Sequence, residues 1–401
     1  MIKALFLGSP SRRRMSALAG AAALFSLSNT ALDQIAPLWA TSDLGLDAAG
    51  WAHLRGLRMA GTTGGILVLG LAAEFFGARR MAMLSLGGAG VLLAALAGGG
   101  AERAFWLLPL FGALVSTTYV NLNVLTQHVS ERKQGIANGI YRGVSQGMVI
   151  VAPALATTLG TAAGSYVPVL AIGSLLLGVA ALTVLSYHLP TVHRHSSARE
   201  LFAGLFAAFL HRPLWSYILI DQLMAFTMGP VVAFGALRLT RELGLSELNF
   251  GVGVCTAAGG LGLVSILISG WLAERMSLSI LMGVPWLLCA VATLTLGLTD
   301  SLPLSIVAVV VAGAGWAVPP VPGSIWLAQV TGKTPTGLAV HKMVQSLTGA
   351  CSMVLAGWLE PQWGMKAVLV GAGCLGLPIA VWMLCVRDPR GRVQGPGQTR
   401  G

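Results

Sequence analysis

The chain has 401 residues, of which 10% are charged and 55% hydrophobic, and its mean hydropathy is +0.77. A water-soluble protein of this length has no core large enough to hide that much apolar surface, so the composition excludes a soluble globular domain. The formal charge of +11 would suit a nucleic-acid partner, but its distribution along the chain points elsewhere.

A helix that crosses a bilayer needs about 20 mainly apolar residues. Twelve such spans are predicted in chain order: 15–39, 49–74, 80–98, 104–128, 135–160, 166–187, 213–238, 248–272, 278–298, 303–329, 335–358 and 365–386. Arg12, Arg13 and Arg14 precede the first and give it the look of a signal peptide. It reads instead as a retained span, because its removal would leave eleven and break the repeat described below. All five cysteines, Cys255, Cys289, Cys351, Cys374 and Cys385, fall inside predicted spans at spacings that match no zinc or disulfide framework. They read as small apolar residues.

With both termini in the cytoplasm, the inside segments hold seventeen basic residues and the outside loops only four, Arg103, Arg238, Arg241 and Lys366. That asymmetry is the positive-inside bias of a multi-pass inner-membrane protein, with the lipid bilayer as its partner and no role for nucleic acid.

Two hairpin segments about 200 residues apart are alike. The first runs from Gly70 through Glu74 and Gly77 to Arg79 and Arg80; the second has Gly270, Glu274, Arg275 and Ser277. Upstream, Leu44, Gly45 and Leu46 recur as Leu243, Gly244 and Leu245. Six spans duplicated in parallel orientation account for both matches.

The paired Gly-x-x-x-acid hairpins resemble the loop signature, often called motif A, of the major facilitator superfamily (MFS), and the resemblance covers essentially the whole chain. It implies an all-α polytopic membrane protein with twelve transmembrane helices in two pseudo-symmetric six-helix bundles. The halves would be residues 1–187 and 213–386, joined by a cytoplasmic linker at 188–212 and followed by a disordered tail at 387–401. The resemblance further implies a secondary transporter, and a gating role for Gly70, Glu74, Gly77, Arg79, Arg80, Gly270, Glu274 and Arg275. A carboxylate at a helix end can accept charge-assisted hydrogen bonds from basic groups and from a facing helix N-terminus, which is the physical basis of such a latch. Arg79 and Arg80 also read simply as topogenic charges. The sequence departs from the signature at Glu74, Phe75, Ala78 and Ser277.

Ionisable residues at mid-membrane cost about 2.5–3.5 kcal/mol even on the gentler insertion scale, so each needs a reason. The chain keeps Asp33, Arg55, Arg58, Arg142, Asp221 and Lys342 inside its spans. Asp33 lies eleven residues before Leu44 and Arg55 eleven after it. At about 1.5 Å of rise per residue, a helical hairpin brings them to one level. Arg55 and Arg58 share a helix face, so a pair with Asp33 is expected. Span eight has Cys255 and Ala258 at the places equivalent to these arginines, and asymmetry inside a duplicated frame points to function.

The same depth reckoning groups Asp221, Arg142 and Lys342 into an inner cluster. Asn121, Asn123, Gln146, Gln222, His341 and Gln345 are the uncharged candidates for hydrogen bonds to cargo, or equally for bonds between helices. Four intramembrane cations against two acids favour an anionic or polar small solute, with proton coupling through Asp33 or Asp221. Pro319, Pro320, Pro322 and Gly323 are expected to unwind span ten, with Trp316 as a cavity wall.

No Walker loop, metal-ligand spacing or nucleophile motif occurs, so no cofactor, metal or enzymatic activity is expected. Import and export stay open, since Ala152 stands where exporters of the family carry a glycine before Pro153. So does a non-transporting receptor or assembly factor on the same fold. The chain is expected to act as a monomer.

Overall fold

The computed structural model describes residues 10–129, 134–187, 203, 206, 210, 212–273, 275–331 and 335–386. Most of the expected linker and the whole tail, with Lys133, Arg194, Arg199, Glu274 and Lys333, lie outside the described residues. The helices are α1 (Pro10–Ser42), α2 (Ala48–Phe76), α3 (Ala78–Ala97), α4 (Ala101–Val129), α5 (Gln134–Ala163) and α6 (Val167–Ser186). There follow α7 (Arg212–Leu237), α8 (Thr256–Leu272), α9 (Leu278–Leu298), α10 (Leu302–Ala317), α11 (Pro320–Thr331) and α12 (Pro335–Cys385). Among the described residues, ten helical stretches are long and apolar enough to cross a membrane. The longest, Val340–Cys385, is broken at Gly364, where the backbone leaves helical geometry at φ 76°.

The ends of these helices follow from local chemistry. Asp47 caps α2 by accepting a hydrogen bond from the Gly50 amide at 2.7 Å. Gly77 alone joins α2 to α3 with φ 84°, a conformation that any Cβ would strain. The second hairpin turns over Ala273–Ser277 instead, with the Arg275 and Met276 amides bonded to the Leu272 carbonyl. Ser277 there has φ −59°, so the position that departs from the repeated pattern has no need of glycine.

Among the described residues, five glycines have positive φ: Gly45, Gly77, Gly164, Gly244 and Gly364. Four form two pairs about 200 residues apart, Gly45 with Gly244 and Gly164 with Gly364. The recurring Leu-Gly-Leu is thus a left-handed turn kept in both copies.

Two compact units are present, Met1–Arg199 with Leu245–Thr256, and Glu200–Gly244 with Ala257–Gly401. In the first, close backbone approaches set the packing. A Cβ at Gly61 would meet the Pro109 carbonyl oxygen at 1.9 Å, and one at Gly65 the Ala113 carbonyl oxygen at 2.4 Å, so α2 and α4 touch backbone to backbone. Hydroxyls supply the polar contacts, with Ser28 donating to the Gly173 carbonyl at 3.0 Å and Thr118 to Ser85 at 2.8 Å. The segment Leu245–Thr256 belongs with this unit. Its Phe250–Cys255 stretch is a π-helix, and a Cβ at Gly251 would lie 1.9 Å from the Thr157 hydroxyl of α5.

The second unit centres on buried Tyr217, Met224, Met282, Trp286, Trp326 and Leu369. Gly229 of α7 lies against Ser352 of α12, where a Cβ would be 2.0 Å from the hydroxyl. Helices α10 and α11 are separate because Pro319 and Pro320 cannot continue a helical ladder. Trp316, expected as a cavity wall, packs edge-on against Trp286 with ring centroids 5.3 Å apart. Large apolar side chains such as Val91, Leu175 and Leu267 stand outward in both units, the surface that hydrocarbon favours and water does not.

Candidate functional site

In the first unit, α1 and α2 assemble the charged cluster that the rise-per-residue argument anticipates, and both arginines take part. Arg55 Nη1 donates to Asp33 Oδ1 at 2.8 Å and Arg58 Nη1 donates to the same oxygen. Asn29, which the sequence reading passed over, completes the set. Its Nδ2 donates to Asp33 Oδ2 at 3.1 Å and its Oδ1 accepts from Arg58 Nη2 at 2.8 Å. The signal for Asn29 was its place four residues before Asp33 on the same helix face.

Aromatic rings back the guanidinium groups, with Arg55 5.8 Å from the centre of Trp51 and Arg58 5.2 Å from that of Phe111. Gly112 lets α4 reach this level of α2, since a Cβ there would sit 2.2 Å from the Arg58 carbonyl oxygen. The cluster holds two cations and one acid, a net charge of +1. Arg55 Nε is buried with no hydrogen-bond partner, while the Asp33 side chain remains 28% exposed. The cluster thus combines surplus positive charge with a buried donor that no protein group uses.

In the second unit, α7 and α12 bring Asp221, Gln222 and His341 together. His341 Nε2 lies 2.8 Å from Asp221 Oδ2, and Gln222 Nε2 donates to the same oxygen at 2.9 Å. Tyr217, a second residue the sequence reading did not single out, packs its ring 5.6 Å from the imidazole and stacks on Trp326 at 5.7 Å. Gly323 makes room, for a Cβ there would lie 2.3 Å from the Tyr217 hydroxyl. The proline-rich break before α11 therefore shapes this site. Gln222 also lines a cleft of about 180 Å³ between α7 and α12, with Trp215, Ile218, Leu219, Val344 and Thr348.

The other predicted residues are placed differently. Lys342 adjoins His341 in sequence but turns to Gln345, whose Oε1 accepts from its ammonium at 2.8 Å. Asn121 and Asn123 donate back to carbonyls of their own helix, Thr117 and Tyr119, at 2.8 and 2.9 Å, and Gln146 is half-buried on α5. The side chains of Arg142, Gly70 and Glu74 lie outside the described residues. Arg79 uses its guanidinium on the last carbonyls of α6, with Nη2 to Leu185 O at 2.7 Å, a favourable charge at a helix C-terminus. Arg80 is exposed, and Arg275 stacks over Trp271 at 3.8 Å beside Gly270.

One further cluster lies in loops between helices of the second unit. Arg238, counted in the sequence only as a loop charge, is buried within the π-helix Arg238–Glu242. It pairs with Glu242, with Asp300 at 2.6 Å and with the Thr299 carbonyl at 2.9 Å. Lys366 joins Asp300 at 2.7 Å. Hydrogen bonds from Lys366 and Arg238 hold the Asp300 carboxyl below its ordinary range.

A model of the Major Facilitator Superfamily matches residues 18–262 and 222–401. No curated protein matches the sequence significantly. Among solved structures, the nucleoside transporter NupG is similar with a TM-score of 0.78 at 14% identity, covering 93% of this chain and 99% of that one. A bacterial homologue of the human lysosomal transporter Spinster, inward-facing and unoccupied, gives 0.74 at 16%, covering 97% and 100%. The human organic anion transporter MFSD10 gives 0.62 at 15%, covering 94% and 100%.

Proposed function

Since this chain belongs to the major facilitator superfamily, we propose that it is a secondary carrier that moves a small organic anion by alternating access, coupled to protons. In this reading it works as a monomer in the cell inner membrane with both termini in the cytoplasm, the orientation that the basic residues favour. The observation that carries the proposal is the Asp33–Arg55–Arg58 cluster, with its net charge of +1 and the unsatisfied Arg55 Nε. A buried donor left unsatisfied costs about 1–3 kcal/mol, so an entering carboxylate or phosphate that accepts from it relieves that cost. The organic anion transporter with the same fold is consistent with such a cargo.

Asp33 then acts as a competitor. It holds both arginines while the site is empty and yields part of their donors when the anion arrives. The hairpin residues Gly70, Glu74, Gly77, Arg79 and Arg80, with Gly270, Glu274 and Arg275, are the proposed gate. Arg79 suits that role because it ties the start of α3 to the end of α6, so the hairpin and α6 move together.

The test is solute exchange in proteoliposomes loaded with mono- and dicarboxylates, phosphate esters, sugars and organic cations. An anion is expected to exchange in the unaltered protein and at least tenfold more slowly in Arg55→Gln or Arg58→Gln. Exchange of a neutral or cationic solute that ignores both substitutions would contradict the proposal.

A further inference from the structure

The second unit contains a buried acid–base pair for which binding an anion gives no reason. Asp221 and His341 are both over nine-tenths buried, and their contact is 2.8 Å. A carboxylate at that distance only accepts, so the imidazole nitrogen facing it, Nε2, carries the hydrogen. In the neutral ring the other nitrogen, Nδ1, is then a bare acceptor. Nδ1 is buried with no hydrogen-bond partner, and Gln222 Oε1 is likewise buried and unpartnered.

We propose that Asp221 and His341, oriented by Gln222, form the proton-binding site of this protein, with His341 Nδ1 as the atom that receives the proton. The step balances simply. A hydronium ion gives its proton to the Nδ1 lone pair and leaves as water, and the imidazole becomes imidazolium. The pair changes from a net charge of −1 to zero, with Asp221 ionised throughout. A net-neutral pair is easier to bury in an apolar setting than a lone carboxylate. Gln222, which bonds to Asp221, also lines the cleft between α7 and α12.

Among the described residues, the pair's side-chain contacts are with Gln222 and Tyr217. Tyr217 is the titratable side chain against the imidazole on α7, and Lys342 on α12 is turned to Gln345. Helices α9 and α11, which pack on α7 and α12, and α10, which packs on α9, contain no acidic or basic residue and no titratable group but the Cys289 thiol. The other charged residues of α7 and α12, Arg212, Glu360 and Lys366, stand more than two turns along the helix from the pair.

Asp33 makes the opposite case. It is held between two guanidinium groups, and a proton there would leave both arginine charges without their acid. Of the two acids that the sequence offers for coupling, the geometry therefore selects Asp221.

This inference rests on the reading of a proton-coupled carrier, and it is tested without any organic solute. Full-length protein in proteoliposomes on a solid-supported membrane is given a pH jump, and the charge displaced as protons bind is recorded. Unaltered protein and Asp300→Asn, which alters an exposed acid outside both clusters, are expected to give a transient, and Asp221→Asn and His341→Gln to lose at least tenfold of it. A transient that survives in both of the latter would overturn the assignment while leaving the anion site standing.

Nitrogen NMR of ¹⁵N-histidine in the unaltered protein, assigned by difference with His341→Gln, gives a check that does not depend on the variants being active. His341 is expected with Nε2 protonated and Nδ1 bare at mildly basic pH, and doubly protonated at mildly acidic pH. A ring with the hydrogen fixed on Nδ1, or one that never titrates, would contradict the proposal.

Discussion

Asp33 receives both arginines on one oxygen and Asn29 on the other, so removing its charge acts on stability and on binding with opposite signs. Asp33→Asn keeps the shape but leaves two buried cations unpaired, and breaking such a pair costs about 3–5 kcal/mol. The expected result is a lower Tm for the empty protein together with a larger ligand-induced shift from a bound anion. Parallel thermal scans with and without the anion check it, and a variant that loses both stability and the shift would make Asp33 a direct ligand of the cargo.

The pairing of Asp33 with the arginines was legible because helix rise and the Leu44–Leu46 turn fix depth. Depth alone failed to select partners in the second half. Lys342 was grouped with Asp221, whereas His341 makes the contact. Adjacent residues on a helix point about 100° apart, and depth reckoning carries no information on that rotation. Asn29 and Tyr217 escaped notice because an amide or a phenol in an apolar span is unremarkable until its neighbours are known.

At the scale of helices, glycine positions carry much of the packing. Gly112→Ala would push a methyl group to within 2.2 Å of the Arg58 carbonyl oxygen, backbone that cannot give way as a side chain can. Overpacking costs about 1–3 kcal/mol, so a lower Tm is expected, with weaker anion binding because Arg58 shifts. Gly64→Ala, on the same helix but facing open space, is the control and should leave both unchanged.

The loops bear a different kind of test. Asp300 is held low by Lys366 and Arg238, so its contribution is present above the unfolded carboxylate value and is lost only as pH falls through the lower folded value. Asp300→Asn is therefore expected to reduce Tm by the same amount at about pH 7 and about pH 5, both above the ordinary carboxylate range. A difference that shrinks between those two points would show that Asp300 takes up its proton above the ordinary carboxylate range and is not held low. The π-helices at Arg238–Glu242 and Phe250–Cys255 had no counterpart in the sequence reading, because one extra residue in a helical turn leaves composition and hydropathy unchanged.

At the scale of the whole molecule, the fold was the most legible layer. Bilayer thickness fixes helix length, so hydropathy alone located the helical stretches closely, down to the proline break between α10 and α11. Duplication was legible too, and the left-handed glycines give it a physical cause in turns that both copies must make. Gly164 and Gly364 were the missed half of that evidence, since their flanking residues differ although their backbone does not. Cargo chemistry is written more faintly, because it depends on a few charges whose partners emerge only when helices are placed side by side.

The central claim is that the two arginines of α2 receive an anion. The most direct measurement is a thermal-shift screen of the detergent-purified protein against organic anions, cations, sugars and peptides, repeated on Arg55→Gln and Arg58→Gln. The account predicts stabilisation by one class of anion that disappears in either variant while each variant remains folded. Stabilisation by a neutral or cationic compound that survives in both, with no response to any anion, would contradict it.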